Sequence, residues 1–295
     1  MDIARIMIRK KKFNIFPICR VLGVSRSNQY ASKFPRPKRY KRKEDEVIKS
    51  EILSVIKDRG TYGYRRATAL INRSRRKTGS STVNKKRVLR VMQLNKLILR
   101  KQRKRPERLH RGKVVTLQSN MRYCSDIFQI KCWDGNTVYV AFSLDCHDRS
   151  VLGYVAKTRP LTHRDIIELI DQSVVNRFGD WCEKLPQSIE WLSDQGPQYT
   201  SHTTIDYLKQ WGFIPCTTPA YSPESNGIAE SFVNTYKRDF VHVNELWTAS
   251  TVLRQLPIWF DDYDKIHPHS GLNYKSPMEY RSENLDSFFN PKVSV

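Results

Sequence analysis

The 295-residue chain holds 52 Lys and Arg against 29 Asp and Glu, a formal net charge of +23, with 39% hydrophobic residues. That suffices for two or three domains with a core, yet no apolar run approaches the ~18 residues of a membrane helix. Six scattered cysteines without a Cys-x-x-Cys pair exclude a disulfide framework and zinc-finger spacing. With a basic N-terminus lacking a signal-peptide apolar stretch, the expectation is a soluble cytoplasmic protein. The charge is unevenly placed: residues 1–113 hold 36 Lys and Arg against 7 Asp and Glu, residues 114–295 hold 16 against 22. A polycationic front and a slightly acidic back suit a nucleic-acid-binding part followed by a metal-binding part. A solvated basic surface accounts for the total but not for the asymmetry.

Residues 1–35 read as a helix-turn-helix. Pro17 suits a first helical turn, and Ile18, Val21 and Leu22 give a short apolar face. Gly23 permits the tight turn, and Ser25 can cap a second helix bearing Arg26, Asn28 and Gln29. In such a motif the second helix enters the major groove. A purely structural helical hairpin fits the same pattern; the surrounding charge favours DNA. Residues 36–43 form a Pro-punctuated basic linker that can lie along phosphates.

Residues 44–100 read as a second helix-turn-helix-like unit. Val47, Ile48, Ile52, Leu53 and Ile56 recur at helical spacing. Arg59-Gly60-Thr61-Tyr62-Gly63-Tyr64-Arg65-Arg66 opens the next helix, with Thr61 as its expected cap and Ala67, Leu70 and Ile71 inward. A third helix follows the loop at Gly79 and covers residues 83–94. Arg65, Arg66, Asn84, Lys85, Lys86 and Arg87 are the expected groove or phosphate contacts; a solvated basic helix is the bland alternative. Residues 101–117 form a polybasic linker, each neutralised phosphate adding salt-dependent affinity.

From residue 118 the composition changes. Residues 126–130, 137–144 and 151–156 read as a three-strand meander with turns at Asp134-Gly135-Asn136 and His147-Asp148-Arg149. Thr162 can cap a helix reaching Phe178, with Ile166, Ile167, Leu169, Ile170, Val174 and Val175 inward. Residues 188–192 make a fourth strand, 203–211 a helix, 213–216 a fifth strand, and 219–223 a loop before a further helix. Antiparallel strands first, then alternating helix and strand, give a mixed five-stranded α/β sheet flanked by helices. This core is expected over residues 118–282, with a tail at 283–295.

Three carboxylates stand out: Asp126 inside the first strand, Asp194 ending the fourth, and Glu230 on the last helix, with 35 residues between the latter two. Hard divalent cations prefer oxygen ligands. Two of them ~4 Å apart can activate an attacking oxygen and stabilise a leaving oxygen on phosphorus. On the Glu230 helix, Asn226, Glu230, Asn234, Lys237 and Arg238 share one face, while Ala229, Phe232, Val233, Tyr236 and Phe240 share the other. Asn234, Lys237 and Arg238 are therefore expected to hold DNA near the metals. Each acid alone could be an ordinary salt-bridged residue, and Asp134, Asp145, Asp148 and Glu224 compete. Asp145 is the best rival because it ends a buried strand. Asp126 is favoured because a carboxylate in mid-strand needs a reason.

These residues, Ser-Pro-Glu-Ser-Asn-Gly-Ile-Ala-Glu-Ser-Phe at 222–232, Tyr-Gly-Tyr-Arg-Arg at 62–66, and His-Pro-His-Ser-Gly-Leu-Asn-Tyr-Lys-Ser-Pro-Met-Glu-Tyr at 267–280 resemble one family. It is that of the D,D(35)E transposases of bacterial insertion sequences, akin to retroviral integrases, and the chain looks like the second-reading-frame product of a two-frame element. The resemblance implies an RNase H-like catalytic core behind helix-turn-helix DNA-binding domains. It also implies two Mg²⁺ (or Mn²⁺) held by Asp126, Asp194 and Glu230, with Lys237 at the DNA end. The implied partners are double-stranded DNA of the terminal repeats and the target, a homodimer or larger synapse, and an upstream-frame protein or fusion segment. A DNA-binding regulator and an RNase H-type nuclease are the alternatives. The first leaves the acidic triad unexplained, the second the two helical DNA-binding units.

Overall fold

The computed structural model describes residues 14–27, 44–99, 116–217 and 227–284. The chain divides into two compact units, residues 1–50 and 51–295. In the first, helix α1 (Ile15–Val21) buries Ile18 and Cys19, while Val21 and Leu22 are exposed, so the apolar face is turned from the expected one. Gly23 follows at φ +60°, the left-handed turn that only glycine adopts cheaply. Asn28, Gln29 and the basic linker lie outside the described residues.

Helix α2 (Asp45–Asp58) crosses from the first unit into the second. It is followed by α3 (Tyr64–Lys77) and α4 (Lys85–Leu94). Ile52, Ala67, Ile71, Val88, Val91 and Met92 are buried, but Val47 and Leu53 remain exposed, a narrower face than the spacing suggested. Thr61 does not cap α3. Gly63 holds that position, and the Thr61 hydroxyl donates instead to Asp239 at 2.6 Å. Asn84, expected on DNA, caps α4 by accepting from Lys86 N–H.

The core sheet comprises β1 (Arg122–Lys131), β2 (Thr137–Asp145), β3 (Val151–Lys157), β4 (Ile189–Ser193) and β5 (Phe213–Thr217). Its order is β3-β2-β1-β4-β5, the first three antiparallel, β4 and β5 parallel to β1. Helices α5 (His163–Phe178), α6 (Pro197–Thr200) and α7 (His202–Trp211) cover one face. Helices α8 (Gly227–Tyr236) and α9 (Ala249–Lys265) cover the other. The Thr162–Asp165 capping box starts α5 as expected, though Val175 is exposed. Helix α9, which has Pro257 inside it, and α10 (Pro277–Glu283) were not anticipated. Among the described residues no helix is long and apolar enough to cross a membrane.

The helical unit rests on the core through ion pairs. Arg59 forks onto Asp262 at 2.9 and 2.5 Å, Arg66 meets Asp239 at 2.8 Å, and Arg73 bonds Glu279.

Candidate active site

Side chains alternate across a strand. Cys124, Phe128 and Ile130 belong to the cluster under α8 and α9, and Asp126 shares their parity, so its carboxylate faces the α8 side. Strand β4 runs parallel to β1 with Cys124 opposite Leu192. Two residues on, Asp126 and Asp194 come level at the carboxyl end of β4. The Gly196 N–H donates to Asp194 Oδ1 at 3.0 Å, and a Cβ on Gly196 would lie 3.0 Å from that same oxygen. A side chain there would press on the Asp194 and Gln198 side chains. Behind the pair, the Tyr199 hydroxyl bonds Ser125 Oγ at 2.6 Å and ties α6 to β1.

Glu230 sits in the first turn of α8, where the helix dipole favours an anion. Ala229, Phe232 and Tyr236 anchor that helix, Phe232 against Phe142 with ring centroids 4.4 Å apart and Tyr236 against Phe128 at 5.6 Å. The apolar face expected on this helix is the one buried. Glu230 and Asn234 are exposed on the other side. At Lys237 the helix widens into a π turn, Lys237–Val241. The Lys237 ammonium lies 5.8 Å over the Phe128 ring, beside Asp126. Two residues later Asp239 points instead to the helical unit and accepts from Thr61, Arg66 and Arg238. Such turns recur at functional sites because they re-aim side chains within one helix.

Burial above all pushes the Asp126 carboxyl up, to about 6. The Ile127 N–H pulls the other way, the Asp194 and Glu230 charges add to the rise, and Lys237 opposes it. The four groups named from the sequence therefore share one electrostatic field. Their donor set is all carboxylate oxygen, the chemistry that hard divalent cations select. Among the described residues, no group of three or more Asp, Glu, His or Cys side chains lies close enough together to hold a metal ion.

The rival acids have other work. Asp145 and Asp148 are buried on either side of Arg177, at 3.0 and 2.9 Å. They also accept from Asn120, His147, Ser119 and Ser150. Burial and the Asp148 charge raise Asp145; burial raises Asp148 too, but Arg177 and Ser150 outweigh it and hold it low. Asp134 folds its turn by accepting from Asn136. Glu224 and Asn226 lie outside the described residues.

Of the basic candidates, Lys85 and Lys86 are exposed in the first turn of α4 and Arg87 is half-buried there. Arg65 is exposed and lines a 260 Å³ surface cavity with Arg76 and Lys85. Arg26 is exposed, 5.2 Å over the Phe16 ring. Two expectations need correction. Arg66 turns inward to Asp239, and the exposed Arg238 is forked onto the same carboxylate, so both guanidiniums are already paired. The residues that sequence reasoning left without a role, His267 and His269, are also central: the Tyr62 hydroxyl bonds His267 Nδ1 at 2.7 Å. The repeated His at i and i+2 was the available signal.

Comparison with known proteins gives the same arrangement. Residues 117–223 and 215–277 each match an integrase core domain family model, and residues 42–105 match an HTH-like domain. The chain is 36% identical over 288 residues to the transposase InsD for insertion element IS2A/D/F/H/I/K of Escherichia coli, covering 95% of this chain and 94% of that protein. InsD for insertion element IS2-9 of Escherichia coli strain K12 matches at 36% over 95% and 92%. Among solved structures, a chain of the simian T-cell lymphotropic virus intasome in complex with PP2A regulatory subunit B56 gamma aligns with a TM-score of 0.49 and 15% identity, over 76% of this chain and 72% of that one. The integrase-core matches and the sheet order make the core RNase H-like.

Proposed function

The chain belongs to the transposases of bacterial insertion elements, enzymes of DNA transposition, and on that premise we propose that Asp126, Asp194 and Glu230 are its catalytic carboxylates. One observation carries the reading: a half-buried Asp126 whose proton affinity is raised by two further acids and opposed by Lys237. Like charges gathered without matching cations are unfavourable in a fold, and they mark a site that takes positive charge from elsewhere. The three carboxylates would hold two divalent ions, Mg²⁺ or Mn²⁺. When bound, such ions act as Lewis acids for the attacking and leaving oxygens on phosphorus.

The chain's own residues do the rest. Strands β1 and β4 hold Asp126 and Asp194 level. Lys237 brings positive charge to a phosphate beside Asp126, and Asn234 extends that polar edge along α8. Cleavage breaks the phosphodiester at the element's end and leaves a 3′-hydroxyl. That hydroxyl then attacks a second phosphodiester, first joining the two ends of the element and later joining them to target DNA. No side-chain nucleophile is needed. Because two ends must meet, a dimer or larger synapse on DNA is the working form.

The helical unit supplies the DNA grip. Lys85, Lys86 and Arg87 crowd the positive end of the α4 dipole, where cations are intrinsically unfavourable and an anion relieves them. With Arg65 they are the phosphate contacts of that unit, and Arg26 serves the first.

Strand cleavage and joining on a labelled duplex bearing the element's own end, with Mg²⁺, tests this. Glu230→Gln should lower cleavage on the order of 10³-fold while DNA binding persists. Cleavage equal to the native chain would refute the assignment.

A further inference from the structure

The His-Pro-His-Ser-Gly stretch at 267–271 takes no part in the carboxylate site, yet it helps build a 310 Å³ cavity, partly open to solvent. Arg66, Arg149, Ser231, Thr235, His267 and His269 line it. Three of these bring buried nitrogens with no hydrogen-bond partner among the described residues: Arg149 Nη1, His267 Nε2 and His269 Nε2. A single buried unpartnered polar atom costs a folded protein noticeably. Three around one cavity await a ligand.

The sign of that ligand follows from the hydrogen bonds. Arg59 donates to the Tyr62 hydroxyl at 3.3 Å, and we assign the hydroxyl proton to His267 Nδ1 at 2.7 Å. With Nδ1 accepting, Nε2 carries the imidazole proton and is a donor. Arg149 Nη1 can only donate. Paired imidazoles elsewhere suggest a metal, but here the free nitrogen of His267 is protonated and two guanidiniums line the same space. Burial first, then the surrounding arginines, hold both histidines well below their ordinary range, His269 at about 3. Both imidazoles are therefore neutral in a field of positive potential. The Asp239 carboxylate, 3.9 Å from His267 Nδ1, is already engaged by Arg66, Arg238 and Thr61.

We propose that this cavity binds one phosphate group, and that in the working complex it is a backbone phosphate of the DNA. The first half stands on the cavity alone; the second rests on the transposase reading above. Ser231 and Thr235 directly follow Glu230 and Asn234, which puts the phosphate about 100° round the same helix from the catalytic carboxylate. A strand held there is registered against the active site by a rigid element rather than by a loop.

The test uses the full chain with ¹⁵N-labelled histidines, titrated with inorganic phosphate, with a DNA duplex, and with chloride at matched ionic strength. Phosphate and DNA should each shift the Nε2 resonances of His267 and His269 saturably, and chloride should not. His269→Phe should weaken phosphate binding about tenfold, and Arg149→Met should reduce the salt slope of DNA binding by about 0.9. Shifts equal in chloride, or no saturable shift with phosphate, overturn the site. Shifts with phosphate but none with DNA overturn the DNA assignment alone. Glu230→Gln protein should give the same titration as native, so loss of cleavage and loss of this site are read separately.

Discussion

Two carboxylate clusters sit at the same sheet, and they are built on opposite principles. Asp145 and Asp148 are almost wholly buried, yet Arg177 lies between them and backbone and hydroxyl donors fill their remaining lone pairs. Asp126 is half-buried, with the Asp194 and Glu230 charges and a single lysine acting on it, and the hydrogen bonds to Asp126 and Asp194 come from their own neighbouring backbone. Burial therefore does not mark the proposed catalytic acids; charge left unbalanced does. The first cluster is a finished structural knot, the second a site that is completed from outside.

The largest effect on folding should come from breaking the finished knot. Arg177→Met leaves two buried carboxylates facing each other and should cost about 3–5 kcal/mol, a drop of roughly 10 °C in Tm, readable by thermal denaturation. A shift of a degree or two would mean the two clusters do not differ as described.

The unfinished cluster should respond in the opposite direction. Asp126 has a folded pKa of about 6, above the ordinary carboxylate value of 3.8. Below about pH 3 both folded and unfolded forms are largely protonated there, and the group takes little from stability. As pH rises towards 6, the unfolded carboxylate ionises first, unfolding releases a proton, and stability falls. Above 6 the penalty is complete, about 3 kcal/mol before solvent screening and roughly 2 after it. Asp126→Asn should therefore raise stability at pH 7.5, change it little at about pH 3, and abolish cleavage. Mg²⁺ at pH 7.5 should stabilise the native chain and not this variant. A destabilising Asn at neutral pH would remove the contrast.

The smallest effect belongs to the seam between helices and core. Arg59→Met removes the fork onto Asp262, where both groups keep some solvent contact, and should cost about 1–2 kcal/mol in urea denaturation. Cleavage per folded molecule should change little, because the seam carries no reacting group.

How much of this was legible depended on the range of the cause. The five strands and the buried face of α8 follow from local alternation and helical spacing, and these were read from the sequence, as was Thr162 as the cap of α5. Asp126 could be singled out because a mid-strand carboxylate violates that alternation. Helix α9 escaped, since Pro257 interrupts its pattern and only packing of Trp259, Phe260 and Tyr263 against the sheet explains it. Thr61 was read as a helix cap and Arg66 as a DNA contact because their partner, Asp239, is more than 170 residues away in the chain. The π turn that aims Lys237 and Asp239 apart has no signature in residue spacing.

The sequence by itself determined the order of the five strands, the polycationic front and the family, and it nominated three acids, because propensity, periodicity and motif spacing are properties of neighbours along the chain. Only the tertiary structure decided which acids were balanced and which were not, and which arginines faced inward. It also decided that two histidines and an arginine would surround one cavity. Charge balance and buried hydrogen bonding depend on distance in space, and residues far apart in the chain meet only when it folds.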